Sequence, residues 1–226
     1  MASYTVVHEP LRLEGGAGAI EALLELPAAV GVDGGVPVVD PAPRSVAICC
    51  HPHPLYGGSL SNKVIHTVAR AFVAAGVPAL RFNFRGVGAS AGVHDDGRGE
   101  TEDLVAVAAQ IRQRFPGADL WLAGFSFGAW VALRATARLV PARLVTVAPP
   151  VGRWDFADIA PPTCPWLLLQ GTADELLDAA EVEAWARALS PEAKITLLPD
   201  ASHFFHGRLH EVRDFVEAFA RQAYIE

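Results

Sequence analysis

A doubly wound, mostly parallel α/β sheet with helices on both faces is the fold this sequence predicts, and three observations point to it. Short stretches such as SVAICC, ADLWLAGF and CPWLLLQG are apolar along their length. Strands of that kind belong in a sheet covered on both sides, as parallel sheets are. Segments of helical spacing follow them through loops, and this strand, loop, helix unit recurs along the chain.

The elements justify themselves in order. Alternating apolar residues at 4–13 and 19–26 flank Gly15, Gly16 and Gly18 and read as a strand pair at one sheet edge. Residues 27–44, rich in Gly, Pro and Asp, read as an exposed excursion. SVAICC ends in His-Pro, and within 60–75 the spacing of Val64, Val68, Ala71 and Phe72 is helical. VPALRFNF leads through a glycine-rich loop into ETEDLVAVAAQIRQRF, and ADLWLAGF leads into FGAWVALRATARL. ARLVTVAP, CPWLLLQG, EVEAWARALS, KITLLPD and a last helix from about Gly207 complete the alternation. No repeat of about 20 to 50 residues interrupts it, and residues 1–226 are expected to form one domain.

Composition narrows the function. Hydrophobic residues make up 51% of the chain and charged residues 19%, enough apolar material for a large core. The net charge of −7, with arginines scattered along the sequence, argues against a nucleic-acid partner. MASYTVVHEP lacks the features of a signal peptide, and no apolar run reaches the ~18 residues a membrane span needs. The expected location is the cytoplasm, with Cys49, Cys50 and Cys164 as reduced thiols.

Gly124-Phe125-Ser126-Phe127-Gly128 falls where a predicted strand ends and a helix begins. A serine on so sharp a turn needs small neighbours two positions either side, because the backbone presses them against adjacent elements. The turn would expose the Ser126 hydroxyl at the carboxyl edge of the sheet, with the helix N-terminus aimed at charge developing on a bound carbonyl oxygen. A serine hydroxyl is a weak nucleophile and needs a base. His203, between KITLLPD and the last helix, is the candidate, with His206 as the fallback; His8, His66, His94 and His210 read as surface histidines. The acid that orients the imidazole should follow CPWLLLQG, which selects Asp174 over Asp178 and Glu175. The resulting order is Ser, Asp, His.

His51-Pro52-His53-Pro54-Leu55-Tyr56-Gly57-Gly58-Ser59 follows SVAICC and should face that turn. Two backbone N–H groups must converge on a tetrahedral oxygen. Phe127 is the expected first donor and Leu55 the second, with His53 as the alternative register. Cys49, Cys50, His51 and His53 are metal-ligand types, but side chains alternate along a strand and no second ligand pair follows at zinc spacing, so no metal is expected. Arg85 could meet a substrate carboxylate; pairing with Glu100 or Asp103 is the preferred reading.

HPHPLYGGSLSNKV, LRFNFRGVGASAG, GFSFGAW, LLLQGTADELLD and DASHFF together make the chain resemble the α/β-hydrolase superfamily, specifically compact bacterial hydrolases related to dienelactone hydrolase that carry an HPHP loop. The resemblance runs from about residue 46 to the C-terminus. It implies an α/β-hydrolase fold, a Ser-His-Asp mechanism through an acyl-enzyme, and no cofactor. Dienelactone hydrolase uses a cysteine where Ser126 stands, so its lactone substrate does not carry over. Only VGRWDFADIAPPT is available where such folds often insert a cap, so no large lid is expected. The open site would be walled by residues such as Leu55, Tyr56, Trp154, Phe156, Phe204 and Phe205. The expected substrate is a small-molecule acyl ester, with a thioesterase or peptidase-like acyl hydrolase as the alternative and a non-catalytic binding module as the contrasting class.

Overall fold

The computed structural model describes residues 4–29 and 37–224, so part of the excursion expected at 27–44 lies outside the described residues. Strands β1 (Tyr4–Gly15) and β2 (Gly18–Ala29) form an antiparallel hairpin closed by Gly15 opposite Gly18. A φ of 115° at Gly18 explains the glycine there. The short β3 (Val38–Val39) pairs with β2. The remaining strands are β4 (Ser45–Cys50), β5 (Ala79–Phe82), β6 (Asp119–Phe125), β7 (Arg143–Val147), β8 (Trp166–Gly171) and β9 (Lys194–Leu198).

The sheet runs β1-β2-β5-β4-β6-β7-β8-β9, with the hairpin at one edge. From β5 to β9 every neighbouring pair is parallel, and β2 joins this block antiparallel through β5. Every residue of β4, β5, β7 and β8 is buried, which is the burial pattern of strands covered on both faces. The covering helices are α1 (Lys63–Ala74), α2 (Arg98–Arg114), α3 (Phe127–Leu139), α4 (Ala179–Leu189) and α5 (Leu209–Gln222). Helix α1 packs beside α5, and α2 beside α3. The apolar stripe of α1 buries Val64, Val68, Ala71 and Phe72, while the Asn62 side chain caps its first turn by accepting the Val64 and Ile65 N–H groups. The thirteen-residue α3 starts directly from β6, leaving Ser126 alone between them.

This order positions a site. The chain passes from β4 to β5 on one side and returns to β6 on the other, so the loops leaving the carboxyl ends of β4 and β6 diverge at a topological switch point. Such crevices are where open α/β sheets bind ligands. Between β7 and β8 the chain forms only turns and extended segments, so no large cap covers the crevice. Among the described residues, no helix is long and apolar enough to cross a membrane.

Candidate active site

Ser126 adopts φ 52° and ψ −120°, a conformation that L-residues avoid. Its backbone is held there by an N–H bond to the Val147 carbonyl at 2.9 Å and by its own carbonyl accepting the Ala129 N–H at 2.8 Å. The flanking glycines are demanded by contact. A Cβ on Gly124 would lie 2.2 Å from the Gly128 oxygen, and one on Gly128 would lie 2.2 Å from the Cys50 oxygen.

The three side chains singled out in sequence meet at this turn. His203 Nε2 is 3.1 Å from Ser126 Oγ, and His203 Nδ1 is 2.8 Å from Asp174 Oδ2. A neutral imidazole that donates Nδ1–H to the carboxylate presents Nε2 as an acceptor for the hydroxyl proton. Asp174 is further tied by Gln170 Nε2 at 2.9 Å and by the N–H groups of Leu176 and Leu177 at 2.8 and 2.9 Å. Burial raises its carboxyl pKa, but the hydrogen bond and charge of His203, with the Leu176 and Gln170 donors, outweigh that and hold it below the usual value. The His203 and Asp174 side chains are almost fully buried, at 3% and 0% exposure, so their bond is shielded from water.

The other candidates for these positions have different work. Asp178 caps α4 by accepting the Ala180 and Glu181 N–H groups. Glu175 accepts the His203 backbone N–H at 3.0 Å, steadying the loop. His206 is exposed beside Phe204. Arg85 forms a two-pronged pair with Asp103 at 2.8 and 2.9 Å. His94 corrects its surface reading: its side chain is 9% exposed, bonded to Glu100 and packed against the His53 ring.

Cys50 pairs in register with Gly124, which sets the HPHP segment beside the serine turn. His51 anchors it from below: Nδ1–H donates to the Pro52 carbonyl at 2.6 Å and Nε2 accepts the Phe84 N–H at 3.0 Å. Burial lowers this imidazole to about 4, outweighing the Pro52 bond, so it is neutral at physiological pH. Burial, followed by the charge of His94, lowers the His53 pKa as well.

The expectation for Leu55 requires correction. Residues Pro54–Tyr56 form a single 3₁₀ turn, and the Leu55 N–H is spent on His53 Nδ1 at 3.2 Å. Its side chain is 70% exposed and does not line the cleft. The N–H groups of Phe127 and His53 have no hydrogen-bond partner among the described residues.

Two connected clefts of about 320 and 300 Å³ open at Ser126 and share His53, Tyr56, Arg153, Leu176 and His203 as lining. Phe204 lines the first and Trp154 the second, and Trp154 stacks on His53 with ring centroids 5.4 Å apart. Two other expected wall residues lie elsewhere. Phe156 packs edge-on against Trp185 in a separate groove, and Phe205 is fully buried in the core. Arg153 and Leu176 were not foreseen; nothing in the residue pattern marks them, because the fold alone turns their loops toward Ser126. Cys49 and Cys50 are free and buried, and burial raises both thiol pKa values. No three His, Cys, Asp or Glu side chains among the described residues are grouped so as to hold a metal.

A family model described as serine aminopeptidase, S33, matches residues 55–162, a span that includes Ser126 and stops short of Asp174 and His203. The Rickettsia prowazekii protein RP471 is 36% identical over 176 residues, 74% of each chain. The structure of XC6422 from Xanthomonas campestris, described as an α/β serine hydrolase without lid, is 43% identical with a TM-score of 0.85, over 95% of this chain and 94% of that one. An α/β serine hydrolase homologue from Coxiella burnetii is 38% identical with a TM-score of 0.84, over 96% and 99%.

Proposed function

The chain belongs to the α/β-hydrolase superfamily, among its serine hydrolases without a lid, and from that premise we propose that it cleaves small carboxylic esters through Ser126, His203 and Asp174. The observation that carries this reading is the unbroken line of contacts from Ser126 Oγ through both His203 nitrogens to Asp174.

In this reading Ser126 Oγ attacks the ester carbonyl while its proton passes to His203 Nε2. The carbonyl oxygen, now an oxyanion, is met by the N–H groups of Phe127 and His53 at the start of α3 and of the HPHP turn. Collapse of the tetrahedral intermediate breaks the bond to the alcohol oxygen, which takes the proton back from Nε2. Water then repeats the sequence on the acyl-serine, giving the carboxylic acid and restoring Ser126. Asp174 holds the Nδ1–H tautomer and stabilises the transient imidazolium.

The lining supports an ester over the free N-terminus of a peptide. An aminopeptidase must hold an ammonium group, which calls for a carboxylate near the nucleophile. Among the described residues no acidic side chain lines either cleft, and Arg153 would repel a cation there. The test is hydrolysis of p-nitrophenyl acetate and butyrate by wild type and Ser126→Ala. We expect kcat to fall by about three orders of magnitude or more in a variant that still folds. Retention of a tenth of wild-type activity would overturn the assignment.

A further inference from the structure

Resting on that reading of the site, we propose that Arg153 makes this hydrolase selective for esters that carry a carboxylate away from the scissile bond. Arg153 lines both clefts at Ser126. Its guanidinium is fixed at one corner, where Nε–H donates to the Leu176 carbonyl at 2.8 Å. Leu176 is itself fixed, because its N–H donates to Asp174 Oδ1. The arginine is therefore tethered through one residue to the acid of the candidate triad.

The tether leaves the two terminal amino groups, which project as a planar fork, without an ion-pair or hydrogen-bond partner among the described residues. Among the described residues, Arg153 is the arginine that lines these clefts, and it differs in this from the paired arginines. Arg81, Arg85, Arg98, Arg138, Arg187, Arg208, Arg213 and Arg221 each pair with a carboxylate. A fork with Nε already occupied presents its outer edge, which matches the two oxygens of a carboxylate. Burial and the charge of His94 lower the pKa of His53, and among the described residues no carboxylate lines the clefts to compete for the arginine.

The chain as a whole carries −7, so its long-range field does not attract anions. Preference for an anionic ester must then come from a local cation, and removing that one cation should abolish it. The geometry thus assigns substrate selectivity to a residue that takes no part in bond making.

The probes are the p-nitrophenyl monoester of glutaric acid and p-nitrophenyl valerate, whose acyl chains have equal carbon counts and differ by a terminal carboxylate. For wild type we expect a higher kcat/KM on the glutarate monoester. In R153Q the ratio of the two kcat/KM values should fall roughly tenfold to a hundredfold, carried mainly by KM, because a charge-assisted hydrogen bond to bound substrate is lost. R153K, which keeps the charge without the fork, should recover part of the ratio. A wild-type ratio at or below one, or an R153Q ratio equal to that of wild type, would overturn the inference. Ser126→Ala separates the two levels of failure. If it abolishes turnover of both esters while the ratio ignores Arg153, selectivity alone is wrong; if it leaves turnover intact, the reading of the nucleophile falls and this inference falls with it.

Discussion

Gly128 sits so close to the Cys50 carbonyl that a single added carbon would lie 2.2 Å from its oxygen. The contact joins the first turn of α3 to the end of β4, and so fixes the serine turn against the HPHP loop. Gly128→Ala should therefore cost several kcal/mol or prevent folding, since only backbone could move aside. Gly117→Ala is the control: its φ is 85° but nothing lies within 4 Å of an added Cβ. Strain alone should cost it about 1 to 2 kcal/mol. Urea unfolding of both variants checks the difference, and equal losses would contradict the packing account.

Asp174 is bonded to four donors, and its two roles can be separated. Asp174→Asn keeps the volume and an acceptor but no longer enforces the Nδ1–H tautomer of His203. We expect kcat on p-nitrophenyl butyrate to drop by about three to four orders of magnitude with the fold retained. Asp174→Ala should lose similar activity and also stability, because the Leu176 and Leu177 N–H groups lose their acceptor. Activity of Asp174→Asn within tenfold of wild type would contradict the role.

His51 makes the fold sensitive to acid. Its folded-state pKa of about 4 lies below the unfolded value near 6.5, so the unfolded chain binds the proton more readily. The stability linked to this group is complete above the unfolded value and is lost as pH falls toward 4. A gap of that size corresponds to on the order of 3 kcal/mol. Urea midpoints for wild type at pH 7 and 4.5 should show the loss, and His51→Gln should show a smaller drop between the same conditions. Identical pH dependence in the two proteins would contradict it.

Trp154 and Phe156 separate wall from core. Trp154→Ala should raise KM for p-nitrophenyl esters severalfold, because the indole lines the cleft and stacks on His53. Phe156→Ala should leave KM near wild type and cost about 3 kcal/mol of stability, since its ring is buried against Trp185. The reverse pattern in kinetics and unfolding would show that the two rings are misassigned.

The placement of these two aromatics is not written in the local residue pattern. The strand, turn and helix around Ser126 were legible because apolar runs, the paired glycines and the chain order of Asp174 and His203 are local signals. Their meeting follows from sheet topology, which the alternation of elements predicts. Trp154 and Phe156 lie in an aperiodic segment between β7 and β8, where direction depends on turns that leave no pattern. The direction of the Leu55 N–H is illegible in the sequence for a related reason. Whether its N–H faces a substrate depends on a 3₁₀ turn closed by its neighbour's imidazole, and a sequence does not reveal a tautomer-dependent bond. Arg153 owes its place to a carbonyl 23 residues away.

The most direct test of the central claim is covalent labelling with a fluorophosphonate, read by intact-mass and peptide mass spectrometry. The account predicts one adduct, on Ser126, absent in Ser126→Ala and greatly slowed in His203→Gln, where Nε2 no longer takes the hydroxyl proton. Folded protein that stays unlabelled, or a label that persists unchanged in Ser126→Ala, would contradict it.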